Sequence, residues 1–477
     1  MTFNELTVLL PFLILAITAV LTLLSIAFNR QHILAAGLTW IGLVFAGLTL
    51  LVETAVLPQQ VTPLLIVDGL ARFYLGLILA AALAVAVLAF NYLSKQAEQR
   101  EEFYVLLLLA TLGAMILVAS SHFAAFFLGL ELLSVSLVGL IAYLRARPFT
   151  LAAGFKYLVL AAVSVSFTLF GIALIYASQG TLAFAELDYA QLGADALSLT
   201  GLAFLIIGVG FKLALVPFHM WVPDVYDGAP APVTAFVATV SKTAVFAFLL
   251  RFFNPISLQE SPALLWAFAL IAIASMFGGN WLALRERNVK RILAYSSIAH
   301  LGYLLVAFLA SGAAAVAAAT FYLTAYVITT LGAFGVVGLL SGPESDANGQ
   351  ADFHGLFWRR PWLAAVMTTA LFSLAGIPLT AGFVGKFFVL AASVGALSWL
   401  LPLALVVSSA IGLYYYLNLI VTMFREPQTD QLAAAPAPTL SVTGSLVLAA
   451  LLLLVVWFGV YPAPLLRMIQ TAVAGLS

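Results

Sequence analysis

The chain has 477 residues and no net formal charge, is 64% hydrophobic and only 8% charged, and has a mean hydropathy of +1.15; a soluble domain carries about 25% charged residues, so this is the composition of a polytopic membrane protein. It contains no cysteine, which excludes disulfides, thiolate metal sites, cysteine-ligated iron-sulfur clusters and cysteine nucleophiles, and its five scattered histidines lack the spacing of metal or haem ligands. No redox centre, cofactor or metal is therefore expected in the chain itself, and with no basic run and no Gly-rich phosphate loop neither nucleic acid nor nucleotide is an expected partner.

The first apolar run follows Glu5 with no preceding positive charge and extends over about 20 residues, longer than the core of a secretory signal, so it reads as a retained transmembrane helix. Fourteen runs reach the membrane-spanning length: near 8–28, 33–52, 70–93, 103–120, 123–144, 149–177, 197–220, 231–253, 263–284, 291–310, 313–340, 361–397, 400–424 and 443–461. The longer polar connections are 177–196, expected to hold a short surface helix, 341–355, and a linker near Ala433. Gly278-Gly279-Asn280 lies inside an apolar run and reads as a close helix contact.

Basic residues in alternate loops set the orientation. One side receives Arg30, Lys95, Arg100, Arg145, Arg147, Arg285, Arg287, Lys290, Arg291, Arg359, Arg360 and Arg425, and the other Arg72, Arg251 and Arg467. This bias puts the first set in the cytoplasm and both termini outside. Lys156, Lys212, Lys242 and Lys386 remain, all within expected helices together with the acid Glu131. At about 3 kcal/mol each, isolated in lipid, they must face one another or water.

Two runs cannot be simple helices. A straight helix over 361–397 would be about 55 Å long, beyond a hydrocarbon core of about 30 Å, so a break is expected at Gly376-Ile-Pro-Leu-Thr-Ala-Gly382, one turn before Lys386. The seventh run has Lys212 five residues before Pro217, with polar Pro223 to Gly228 beyond. Two separated broken helices, each with a lysine, point to inverted repeats and an ion site. The reading is an all-α polytopic membrane protein with about 14 transmembrane helices. It has three leading helices (1–100), two inverted five-helix repeats (101–255 and 260–425), and a linker with a last helix (426–477).

Three motifs carry a resemblance: VPFHMWVPDVYDGAPAPVTAF (Val216 to Phe236), AYSSIAHLGYLL (Ala294 to Leu305) and AGIPLTAGFVGKF (Ala375 to Phe387). They resemble the antiporter-like membrane subunits of NADH-quinone oxidoreductase, respiratory complex I, over about residues 100–425. Other relatives tend to read PDAH-x-x-AP where this chain has Pro223-Asp-Val-Tyr-Asp-Gly-Ala-Pro230; that variant and Lys386 favour the branch related to mitochondrial subunit 2. Leu379 stands where a second proline is expected.

The resemblance implies a proton-translocating subunit of a bacterial inner-membrane complex, driven by quinone reduction elsewhere and packed against further antiporter-like subunits. Quinone, FMN and iron-sulfur clusters would belong to the complex. Glu131, Lys212, Lys242 and Lys386 match the family's proton-pathway residues in helices five, seven, eight and twelve. Lys156 and His219 match polar positions of the same half-channel, and His300 a position on the central axis between repeats. A carboxylate near a buried lysine favours its charged form, so Glu131 is expected to switch proton release from Lys212. The alternatives are a subunit of a multisubunit sodium/proton antiporter or membrane-bound hydrogenase, or a non-transporting scaffold. Residue by residue, a structural ion pair competes for Glu131 and Lys212, interface snorkelling for Lys242, Lys386 and Lys156, and helix packing for His219 and His300. Asp224 and Asp227 read as cap or turn residues, and Tyr414 to Tyr416 as packing rather than lining of a water path.

Overall fold

In the computed structural model, residues 3–51, 59–96, 99–256, 258, 261–394, 399–426 and 441–474 are described. The linker near Ala433 lies outside them. Among the described residues thirteen helices are long and apolar enough to cross a membrane, so the chain is a multi-pass membrane protein. The first six are α1 (Phe3–Phe28), α2 (His32–Thr49), α3 (Gly69–Leu93), α4 (Glu102–Ala119), α5 (Phe123–Ile141) and α6 (Pro148–Gln179). The expected surface segment after α6 holds a 3-10 turn and the short α7 (Tyr189–Leu192), capped by Asp188.

The seventh run stops early. Its helix α8 (Ala196–Leu213) ends where Ala214 takes the left-handed conformation, φ +63°. The short α9 (Val222–Gly228) follows, and then a span built from α10 (Ala231–Phe236), a π-helical turn (Val237–Ser241) and α11 (Lys242–Phe253). Next come α12 (Pro262–Ala283), α13 (Val289–Ala310) and α14 (Gly312–Leu340). Beyond the one-turn helices α15 (Gln350–Phe353) and α16 (Leu356–Arg359), the long run over 361–397 is split as expected into α17 (Pro361–Ala375) and α18 (Ala381–Ser393). The chain continues through α19 (Leu400–Phe424), α20 (Val442–Val460) and an amphipathic α21 (Ala463–Val473).

Among the described residues a short hairpin falls outside the all-α expectation. Gln59–Thr62 and Leu65–Val67 form a small antiparallel hairpin, closed by Thr62 Oγ1, which accepts from the amides of Leu64 (3.2 Å) and Leu65 (3.1 Å).

The most enclosed spans define where a site can lie. Residues 231–250 are all buried, and α13 and α14 nearly so. Helices α12 and α13 meet without a spacer, since a Cβ at Gly279 would fall 2.6 Å from Tyr295 O. Gly278-Gly279-Asn280 is thus the helix contact read from the sequence. Helices α4 and α5 are closed the same way, since a Cβ at Gly113 would fall 2.5 Å from the Leu133 amide nitrogen.

Candidate functional site

The first break begins with carbonyls that α8 leaves behind. Leu215 N donates to Gly210 O at 2.8 Å, and Trp221 Nε1 donates to Phe211 O at 2.9 Å. This leaves Lys212, in the last turn of α8 and 2% exposed, free to point across the bundle. Its Nζ donates to Ser134 Oγ of α5 at 2.6 Å and to Tyr157 OH of α6 at 3.0 Å, and lies 5.1 Å from the Tyr157 ring centre. Glu131 stands one turn before Ser134, within charge-interaction range of Lys212, with one carboxylate oxygen buried and unbonded. Among the described residues no ion pair joins the two.

Lys242 comes directly after the π-helical turn. An extra backbone residue in a helical turn re-aims the side chains beyond it, a feature common at functional sites. Here it turns Lys242, fully buried, toward α13, where Nζ donates to Ser297 Oγ. Ser297 Oγ shares a 2.6 Å hydrogen bond with Tyr326 OH of α14, and the Tyr226 ring centre of α9 is 5.7 Å from the ammonium.

His300 continues along α13. Its Nδ1 is 2.7 Å from Tyr322 OH and its Nε2 is 3.2 Å from Tyr416 OH, which in turn is 2.5 Å from Ser296 Oγ. Asn280 then bridges the next hydroxyls: its Nδ2 donates to Tyr303 OH at 2.8 Å, and Tyr415 OH donates to its Oδ1 at 2.8 Å.

At the second break Lys386 meets the freed backbone itself. Its Nζ donates to Leu374 O (2.8 Å) and Ala375 O (3.1 Å), the end of α17, and to Ser409 Oγ of α19 (2.8 Å). The Tyr303 ring centre is 5.2 Å away.

The structure thus brings Lys242, His300 and Lys386 into one polar row through the bundle, while Lys212 forms its own cluster with Ser134 and Tyr157 at the first break, near Glu131. Hydroxyls both donate and accept, so such a row can pass protons between ammonium and imidazole groups when water completes it. Lys156 stands apart from the row. It pairs with Asp224, and both are more than a third exposed. His219 lies within the first break, half-buried, with Nδ1 unbonded.

The aspartates are not caps. Asp224 holds Lys156 and Arg291 (2.7 Å), and Asp227 Oδ1 accepts from Asn288 (2.7 Å) and Asn348 (3.0 Å). Burial alone would raise the Asp224 carboxyl, but hydrogen bonds from Lys156 and Arg291 outweigh it and hold the group below the usual carboxylate range. Of the tyrosines read as packing, Tyr415 and Tyr416 are buried and bonded in the row, while Tyr414 is exposed.

Charge counting also misplaced Lys290, which belongs to α13 rather than a loop and is fully buried. The hydroxyl partners had a signal. Ser296, Ser297, His300 and Tyr303 recur at helical spacing along α13, as do Tyr322 and Tyr326 on α14.

Residues 120–412 match the family model described as NADH:quinone oxidoreductase/Mrp antiporter, TM. The chain belongs to this NADH:quinone oxidoreductase/Mrp antiporter family. A relative, "NADH-quinone oxidoreductase subunit N" of Ectopseudomonas mendocina (strain ymp), is 48% identical over 486 residues, covering 99% of this chain and 97% of that protein. Among solved structures, a chain of respiratory complex I from Thermus thermophilus with bound Aureothin matches with a TM-score of 0.83 at 33% identity, covering 97% of this chain and 99% of that one. A chain of the Mrp complex from Dietzia sp. DQ12-45-1b matches with a TM-score of 0.85 at 22% identity, covering 100% and 98%; at that identity the likeness is one of fold. The segment matched by the antiporter family model contains all seven candidate residues, from Glu131 to Lys386.

Proposed function

We propose that the chain is a proton-translocating membrane-arm subunit of NADH-quinone oxidoreductase, of the subunit N type, moving protons while quinone reduction elsewhere in the complex supplies the energy. Quinone, FMN and iron-sulfur clusters belong to that complex rather than to this chain. Its neighbours are other membrane-arm subunits, including further antiporter-like ones. Its place is the bacterial inner membrane, with the basic loops in the cytoplasm and both termini outside.

One observation carries the reading. Lys212, Lys242 and Lys386 are buried, and each gives its ammonium to hydroxyls or carbonyls rather than to a carboxylate. A charge buried for stability is normally paired; an unpaired buried lysine beside hydroxyls suits proton release and uptake. The two repeats, 101–255 and 260–425, are supported by the matching glycine-closed pairs α4/α5 and α12/α13 and by the two breaks beside Lys212 and Lys386.

In this scheme Glu131 moves toward and away from Lys212, and the proton passes on toward Lys242, His300 and Lys386, with Lys156 and His219 on the entry side. Lys212→Ala or Glu131→Ala in reconstituted complex should lower NADH-driven proton pumping. Unchanged pumping with unchanged electron transfer would rule the scheme out. Lys212→Arg keeps the charge but cannot release it, so retained pumping would make Lys212 structural. Sodium uptake by vesicles without NADH would instead identify a sodium/proton antiporter component.

A further inference from the structure

Another buried lysine lies outside the row. Lys290 Nζ donates to Ala229 O at 2.6 Å, to Asp227 O at 2.9 Å and to Asp346 Oδ2 at 2.7 Å. Those carbonyls need a donor because the last four carbonyls of a helix have no partner within it, and Pro230 and Pro232 bring no N–H to continue the ladder. Side chains take all four at the end of α9. Thr234 Oγ1 donates to Tyr226 O (3.1 Å), Thr150 Oγ1 to Gly228 O (2.9 Å), and Lys290 holds the other two.

The carboxylate behind Lys290 reaches further. Asp346 Oδ1 accepts from Tyr92 OH of α3 at 2.6 Å and from Arg147 Nη1, just before α6, at 2.9 Å. Arg147 Nη2 adds bonds to Gly342 O (3.2 Å) and Pro343 O (3.0 Å) beside Asp346. One carboxylate, its side chain 4% exposed, therefore ties α3, the α5–α6 connection and the α14–α15 loop to the end of α9. On α9 sits Tyr226, fully buried, with its ring against the Lys242 ammonium.

We propose that Asp346 and Lys290 are positioning residues for Lys242: together they fix the α9–α10 break, and through it Tyr226 and the π-helical turn that aim the Lys242 ammonium at Ser297. The inference rests on the proton-pumping reading above and assigns that site two further residues. Lys290 acts by holding carbonyls. A cation that cannot release a proton should serve equally well in its place.

The test is made on the assembled oxidoreductase in membrane vesicles, measuring protons pumped per NADH oxidised, with Lys212→Ala in parallel. Asp346→Asn keeps the shape and removes the charge that holds Lys290; pumping per NADH should fall to the Lys212→Ala level. Lys290→Met should do the same and Lys290→Arg should retain pumping. Wild-type pumping by Asp346→Asn alongside a defective Lys212→Ala overturns this inference alone, and wild-type pumping by both overturns the transport reading. Should Asp346→Asn fail to assemble, the Lys290 pair decides, because equal loss in Lys290→Arg and Lys290→Met would make Lys290 a proton carrier and refute its positioning role.

Discussion

Gly376→Ala probes the second break with one methyl group. Gly376 ends α17 at φ +85°, held by Gly376 N to Ser373 O (3.1 Å) and Ile377 N to Phe372 O (2.9 Å). An L-residue in that conformation costs about 1–2 kcal/mol, and the turn cannot relax without losing those bonds. The added Cβ would also lie 3.0 Å from Lys386 Cδ and 3.2 Å from its Nζ, displacing the ammonium from Leu374 O, Ala375 O and Ser409. A displacement on the order of 1 Å at a reacting group reduces rate by up to about a hundredfold. Thermal unfolding in detergent, followed by tryptophan fluorescence, should show the stability loss, and NADH-driven acidification of vesicles the larger loss of pumping. Gly332→Ala on α14, where a Cβ meets nothing within 4 Å, is the control and should be neutral or more stable by about 0.5–1 kcal/mol. If Gly376→Ala melts and pumps like Gly332→Ala, the account of the break is wrong.

Asp68 caps α3 through Ala71 N (2.7 Å) and forks onto Arg251 at 2.8 and 2.9 Å. Asp68→Ala should cost about 3–5 kcal/mol for the stranded buried cation plus about 0.5–2 for the cap. Asp68→Asn, which keeps the cap, should lose only the first part, and equal melting of the two variants would deny the cap its share. Burial would raise the Asp346 carboxyl, but Lys290, Tyr92 and Arg147 together hold it below the usual range. A carboxyl depressed in the folded state stabilises above its unfolded value of about 3.9 and loses that contribution as pH falls through the folded value. Acid unfolding curves of Asp346→Asn should therefore be shallower below about pH 4 than wild type, and identical slopes would count against the pairing. Ser297→Ala removes the hydroxyl acceptor of Lys242; a hydrogen bond from a charged donor is worth about 1.5–3 kcal/mol, about ten- to a hundredfold in transfer rate, and pumping at the wild-type rate would exclude Ser297 from the path.

Much of the architecture was legible in the chain because it depends on local order. Apolar runs mark the spans, since each backbone polar group in lipid needs a partner within its own helix. Gly376, Pro378 and Gly382 mark the second break, and the length of 361–397 demands one. That Lys212, Lys242 and Lys386 are buried followed from their placement within apolar runs, and the structure encloses all three.

Counting by loop misled at Lys290, and helix-start habit misled at Asp224 and Asp227, which hold side chains from other elements instead of capping. Counting loop charges treats a residue near a helix end as solvated, whereas Lys290 is covered by the 341–355 segment that supplies Asp346. Lys156 and Asp224, 68 residues apart, find each other only once α6 and α9 pack. The hydroxyls around each lysine come from still other helices, as with Ser134, 78 residues from Lys212. The sequence by itself determined which residues are too polar for lipid and where helices must break, because both follow from the bilayer as solvent and from proline and glycine stereochemistry. Only the tertiary structure decided which group faces which ammonium, because a hydrogen bond depends on separations of about 3 Å between helices whose order in space no periodicity along one chain records.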